Sequence, residues 1–294
     1  MKYAWIKEQR DSYPIQTMCR VLQVSKSGFY KWLSATPSPR VQRSETIKAD
    51  VRRVYESSSG IYGSAKISQE LRNSEELETA CRNTVAKAMK EMGLKSRVSK
   101  QFRPTTTVAD PSRQAAANLL NQEFHATGPN QKWVADITYL PTSKGWVYLA
   151  VVLDLFSRKV VGWAISDSLA TTVISEALRQ AIETRRPVAG QLLHHSDRGC
   201  QYTSEAFQEV LKTLQITCSM SRTGCCYDNA VAERFFWSLK HEWTKFEDYA
   251  DLEEAKLSVF RYIETFYNPV RLHQTLNYLS PDHFEQKFSV PLVT

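Results

Sequence analysis

The spacing of apolar residues along this 294-residue chain changes from helical to strand-like near residue 130. In 15–33, Ile15, Met18, Cys19 and Leu22 share one helical face, Val24-Ser25-Lys26-Ser27 supplies a turn with a serine cap, and Phe29, Tyr30, Trp32 and Leu33 begin a second helical pattern. Two helices joined by so short a turn predict a helix-turn-helix within 1–36. In that motif the second helix enters the major groove of DNA, which makes Lys26, Ser27, Tyr30 and Lys31 the candidate readers; an ordinary helical hairpin has the same pattern. Thr36-Pro37-Ser38-Pro39 reads as a linker. A second helical module is predicted over 44–98, with Gly93 as a helix stop. Its basic residues, among them Arg52, Arg53, Lys66, Arg72 and Lys90, are spread over several faces, a distribution suited to phosphate contacts and carrying no sequence code. Residues 95–104 hold basic side chains and no acidic ones, as in an arm along DNA or a solvated tether, and the stretch 99–127 reads as arm and linker.

After a short helical stretch predicted at 113–124, strands are expected at 132–140, 146–155 and 159–166, separated by hairpin-length turns. A helix at 171–186, an apolar strand at 191–195, a helix at 204–214 and a short strand at 217–220 follow. Three antiparallel strands followed by alternating helix and strand give an α/β layer, a mixed sheet with helices on its faces. This is the order of ribonuclease-H-like folds, so 128–245 reads as a ribonuclease-H-like catalytic core, preceded by all-α helix-turn-helix modules and followed by a helical extension at 246–294.

Composition narrows the class. Hydrophobic residues make up 42% and aromatic residues 11%, enough for packed cores and inconsistent with a disordered chain. The longest apolar run, 146–155, contains Asp154 and falls far short of the ~20 residues of a membrane helix. With no apolar signal-peptide core in its charged N-terminus, the chain is expected in the cytoplasm, associated with the nucleoid. Six cysteines without a C-x-x-C pair read as reduced thiols, and His194, His195 and Cys200 as buried or turn residues rather than metal ligands. The net charge of +7 is unevenly placed: residues 1–113 hold 21 basic and 11 acidic side chains, residues 114–294 hold 17 and 20. A basic first third on a slightly acidic remainder fits a polyanion-gripping module joined to a domain with work of its own.

Three carboxylates stand out in that remainder. Phosphodiester chemistry with magnesium requires two or three carboxylates converging on one point, because hard cations must clamp the attacking and leaving oxygens. Asp136 lies among apolar neighbours in the first predicted strand, where an unpaired acid is costly. Asp197 follows the fourth strand, and Glu233 sits early on a helix beginning near Asp228-Asn229-Ala230. Taken singly each has a bland alternative: Asp154 is equally embedded in a strand, and Asp228 could cap the helix.

The surrounding motifs resemble those of a DDE-type transposase of the retroviral-integrase superfamily, the second-frame protein of the third bacterial insertion-sequence family. They include Trp133-x-x-Asp136-Ile137-Thr138-Tyr139, His195-Ser196-Asp197-Arg198-Gly199-x-Gln201-Tyr202, Asp228-Asn229-Ala230 with Glu233, Leu239-Lys240 with Glu242, and Tyr267-Asn268-x-x-Arg271-x-His273. Upstream, Tyr62-Gly63 with Lys66-Ile67 resembles the same family's second helical module, so the likeness spans essentially the whole chain. The resemblance implies that Asp136, Asp197 and Glu233 form a catalytic, metal-binding triad and that Lys240 is the basic residue at the DNA end. It also places DNA contacts at Arg198, Asn229, Arg271 and His273. Arg234 stands where many relatives have serine and is expected to add a phosphate contact, while Leu272 departs from the usual Arg or Pro.

The implied activity is transposition: binding of insertion-sequence ends, then strand cleavage and strand transfer with Mg²⁺, for which Mn²⁺ is a substitute. No zinc is expected, because no histidine precedes His125 to build a zinc module. The implied partners are DNA (terminal inverted repeats and target), further copies of the chain, and a first-frame protein joined by fusion or interaction. Two alternatives stay open at this level: a ribonuclease-H-like nuclease that cuts without joining, and a DNA-binding regulator with an inactive core.

Overall fold

In the computed structural model the described residues are 1–34, 38–73, 81–97, 116–169, 171–223 and 225–289. Five strands form one sheet in the order β3-β2-β1-β4-β5. β1 (Lys132–Thr142), β2 (Gly145–Asp154) and β3 (Val160–Ser166) make an antiparallel meander; β4 (Leu193–Ser196) then pairs parallel to β1, and β5 (Thr217–Met220) parallel to β4. The mixed sheet predicted from the chain is therefore present.

Alternation along β1 assigns its residues to two cores. Trp133 and Ala135 face one layer, packed with α7 (Thr171–Arg185) and α8 (Glu205–Thr213); Val134 and Leu140 face the other, under α9 (Ala230–Glu242) and the helices that follow. Asp136 shares the second face. On the first face α7 lies directly on β3: a Cβ on Gly162 would sit 2.2 Å from the carbonyl oxygen of Ala177, so only glycine allows this approach. On the second face Ala232, Phe235, Phe236 and Leu239 recur at helical spacing and are buried, which fixes the rotation of α9.

The segment in which a helix-turn-helix is predicted folds as three helices, α1 (Lys2–Glu8), α2 (Ile15–Val21) and α3 (Lys26–Leu33), around Ile6, Met18, Cys19 and Phe29, with the Ser25 hydroxyl capping α3 by accepting from Gly28 N–H. The second module is α4 (Pro39–Ser57), α5 (Ser64–Asn73) and α6 (Arg82–Glu91); Gly93, with φ +70°, ends α6 as expected. Its apolar face joins the same continuous core as the second face of the sheet and the C-terminal α10 (Leu252–Phe260). Tyr62 pins it there: its hydroxyl donates to the Val270 carbonyl and accepts from Leu272 N–H. Of the linker predicted at 36–39, residues 36–37 lie outside the described residues, as do most of the basic arm and Gly224, while Ser38 caps α4 and Pro39 begins it.

One element differs from expectation. The described part of the predicted 113–124 helix, residues 116–124, has no helix. The N–H groups of Leu119 and Leu120 both donate to the Ser219 hydroxyl at the end of β5, so long-range bonds replace a helical ladder. No described helix is long and apolar enough to cross a membrane.

Candidate active site

The parallel register of β1 and β4 decides where the carboxylates meet. Val134 pairs with His195, so Asp136 and Asp197, each two residues further along, emerge side by side on the face covered by α9. Asp136 is half-buried and one of its oxygens accepts from Ile137 N–H at 2.8 Å; Asp197 is half-buried and accepts from Gly199 N–H at 2.9 Å. A Cβ on Gly199 would approach Asp197 Oδ1 to 3.0 Å, so glycine lets the chain fold over this carboxylate. Glu233 projects from the exposed side of the first turn of α9. Burial, the charge of Asp197 and the charge of Glu233 push the Asp136 carboxyl well above its usual range, against the opposing pull of Ile137 N–H and Lys240. Burial likewise raises Asp197, against the Gly199 N–H. Burial lowers the Lys240 ammonium, with Asp136 opposing.

The three sequence-predicted acids and Lys240 therefore share one electrostatic site. Its donors are carboxylate oxygens, the chemistry a hard divalent cation takes, and their mutual repulsion is what such a cation relieves. Among the described residues no three His, Cys, Asp or Glu side chains are gathered closely enough to hold a metal ion as they stand. The donor set fits in charge and type, without forming a closed cage.

The other expected contacts separate into exposed and buried. Lys26, Ser27, Tyr30 and Lys31 are all exposed on α3. Arg234 is exposed and lies over the Trp237 ring at 4.3 Å, and Lys240 lies over the Tyr139 ring at 4.9 Å. Arg198 spends its guanidinium on Ser221 O (2.6 Å) and Thr223 Oγ1 (3.0 Å), bracing the segment after β5. Asn229 is 5% exposed and donates to the carbonyl of Ala135, the residue before Asp136; it holds the start of α9 on β1 rather than facing solvent. Arg271 and His273 differ in exposure: Arg271 is buried, whereas His273 is partly exposed. Arg271 is buried, bidentate to Glu242, bonded to Ser238 and donating to His273 Nε2, so the expected DNA contact gives way to a structural ion pair.

Two supporting networks escaped the sequence. Ser219 Oγ accepts from two backbone N–H groups, so its own proton goes to His195 Nδ1 (2.8 Å). The imidazole is then protonated at Nε2, which donates to Ser221 Oγ (3.1 Å), and Ser221 donates to Ser196 O. This fully buried chain ties β4 to β5 just before Asp197. Asp228, expected at most as a cap, accepts from Asn118, Gln122 and Arg222. Arg222 foremost holds its carboxyl far below the usual range. A serine spacing of two opposite a strand histidine is the only signal the first network leaves in the sequence. Asp154 is also structural: it accepts from Asn130 N–H, Phe156 N–H and Arg185.

A β3-β2-β1-β4-β5 sheet with one acid within its central strand β1, a second just past the parallel β4 and a third on the covering helix defines an integrase-type catalytic core. Two family models described as the integrase core domain match residues 126–226 and 214–281, and one described as an HTH-like domain matches 42–102. The chain is 40% identical over 289 residues to Transposase InsF for insertion sequence IS3A of Escherichia coli (strain K12), covering 98% of this chain and 99% of that one. It is 37% identical over 271 residues to the insertion element IS600 uncharacterized 31 kDa protein of Shigella sonnei, covering 92% and 98%. A chain of the simian T-cell lymphotropic virus intasome structure aligns with TM-score 0.47 and 14% identity over 83% of this chain and 76% of that one. The chain belongs to the IS3 family of insertion-sequence transposases.

Proposed function

We propose that this transposase binds the terminal inverted repeats of its element and carries out Mg²⁺-dependent strand cleavage and strand transfer, with Asp136, Asp197 and Glu233 as catalytic residues and metal ligands. The observation that carries this is the register that sets Asp136 beside Asp197 within the field of Glu233 and Lys240. Asp136, Asp197 and Glu233 would hold the ion, and Mn²⁺ is expected to substitute. A bound divalent ion supplies Lewis acidity, activating water or a 3′-hydroxyl and stabilising the leaving oxygen. The chain's own residues do the rest. Lys240 holds a phosphate against the carboxylates, Asn229 and the His195 chain fix α9 and β4 about them, and the hydrogen bonds from Ile137 and Gly199 orient one oxygen of each aspartate.

The exposed start of α3 and the basic faces of α4–α6 hold DNA, so end binding weakens steeply with salt. Joining two ends requires more than one copy on the DNA, with a first-frame protein as a further partner, and the chain acts on DNA in the cytoplasm, associated with the nucleoid. The test is a labelled duplex of the terminal repeat, precut at its 3′ end, incubated with a target duplex and Mg²⁺. A joined product is expected; hydrolysed fragments without any joined product would identify a nuclease instead.

A further inference from the structure

An aromatic corner stands open on the β1–β2 hairpin, linked to the carboxylates through Lys240. Trp146, at the start of β2, is 55% exposed, and Tyr139, on β1, is 37% exposed; their rings meet edge to face at 5.0 Å and 89°. Two exposed rings in mutual contact form a small contiguous apolar face of the kind that takes a flat ligand. The hairpin that carries them is held rigidly: Ser143 N–H donates to Tyr249 O, and Lys144 pairs with Asp251 at 3.0 Å. Lys240 joins corner and carboxylates, with its ammonium over the Tyr139 ring, within the field of Asp136, and in no ion pair among the described residues. A ligand that satisfies this arrangement carries a flat π-face and an anionic group a few ångströms apart. That combination is a nucleotide, and its base is free to stack only if it has left its pair.

We infer that Trp146, braced by Tyr139, is a stacking platform for one unpaired base at the DNA end whose phosphate Lys240 holds. The assignment rests on the strand-transfer function proposed above and deepens it: the substrate taken at this site is an end with its last pair opened. A protein partner explains the exposed rings less well, because the cation lies between them and the carboxylates, where a phosphate belongs.

Joining is measured for wild type, Trp146→Ala and Trp146→Phe on precut terminal-repeat duplexes, each carrying one abasic nucleotide scanned through the last four positions of either strand. Melting temperatures of the variants confirm that this exposed position leaves folding intact. The expected loss for Trp146→Ala on intact ends is about 5- to 100-fold, with most activity kept by Trp146→Phe. At one position the abasic substitution is expected to weaken wild type while costing Trp146→Ala nothing further. Trp146→Ala joining within two-fold of wild type, or losses that multiply at every position, would overturn the platform. If wild type itself gives no joined product, the parent function fails instead, so the two failures are separable.

Discussion

Replacing Glu242 with glutamine removes the counter-ion of a guanidinium that has no access to water. Glu242 is 3% and Arg271 7% exposed; Arg271 Nε donates to Oε2 at 2.6 Å, a second guanidinium nitrogen donates to Oε1, and the Tyr262 hydroxyl donates to Oε2 at 3.0 Å. Breaking one side of a buried pair costs about 3–5 kcal/mol, because the remaining charge stays desolvated. Glutamine keeps one acceptor oxygen, which favours the lower end. At roughly 2–4 °C per kcal/mol for a chain of this size, Tm falls by about 6–20 °C. Burial opposes ionisation of Glu242, but the Arg271 charge and hydrogen bonds prevail and hold its carboxyl below the usual range. The pair's contribution is therefore present at neutral pH and lost only as pH falls through that lowered value, so the deficit of the variant should narrow in acid. Thermal unfolding by circular dichroism measures both effects. The double variant Glu242→Met with Arg271→Met removes both charges and should recover most of the loss. A single variant melting within about 2 °C of wild type, or a double variant less stable than the single one, would refute the structural role of this ion pair.

Three further outcomes follow from the same contacts. Gly162→Ala drives a methyl group into the α7 backbone, where it would lie 2.2 Å from Ala177 O, and should cost at least about 1–3 kcal/mol in a denaturant melt. Ser219→Ala strands the N–H groups of Leu119 and Leu120 and one nitrogen of His195, and should lower stability by about 1–3 kcal/mol. Both ring nitrogens of buried His194 lack partners among the described residues, and burial, with His195 adding to it, lowers its pKa to about 4. The neutral form is the one the fold accepts, so the contribution of His194 is complete above about pH 6.5 and falls by roughly 1.4 kcal/mol per unit as pH drops from there toward 4, beside like-signed contributions from His195 and His273, which burial also lowers. His194→Phe should reduce the slope by that share in a pH series of melts.

Much of this fold was legible because the patterns that declare it are local. Strand alternation around Asp136, the serine cap before α3 and the helical spacing of Phe235, Phe236 and Leu239 each follow from short-range geometry. The same alternation is what brings Asp136 to the α9 face. Residues whose roles depend on distant partners were not legible. Arg271 looks like a DNA contact until Glu242, 29 positions earlier, is seen to occupy it. Residues 116–124 have a helical apolar pattern, yet their backbone is claimed by Ser219 about 100 positions away. Motif spacing likewise gave no sign that the Tyr62 module shares a core with the sheet.

The central claim is that the Asp136 cluster performs metal-dependent strand transfer. It is tested most directly by Asp136→Asn, a change that keeps side-chain volume while removing the charge opposed by Asp197 and Glu233. Joining of precut ends in Mg²⁺ and affinity for the same ends are measured on one preparation. The account predicts joining lost by about a hundred- to a thousandfold, as when a principal electrostatic element of a catalytic site is removed, with end binding within a few-fold of wild type. Joining that survives in Asp136→Asn would contradict it.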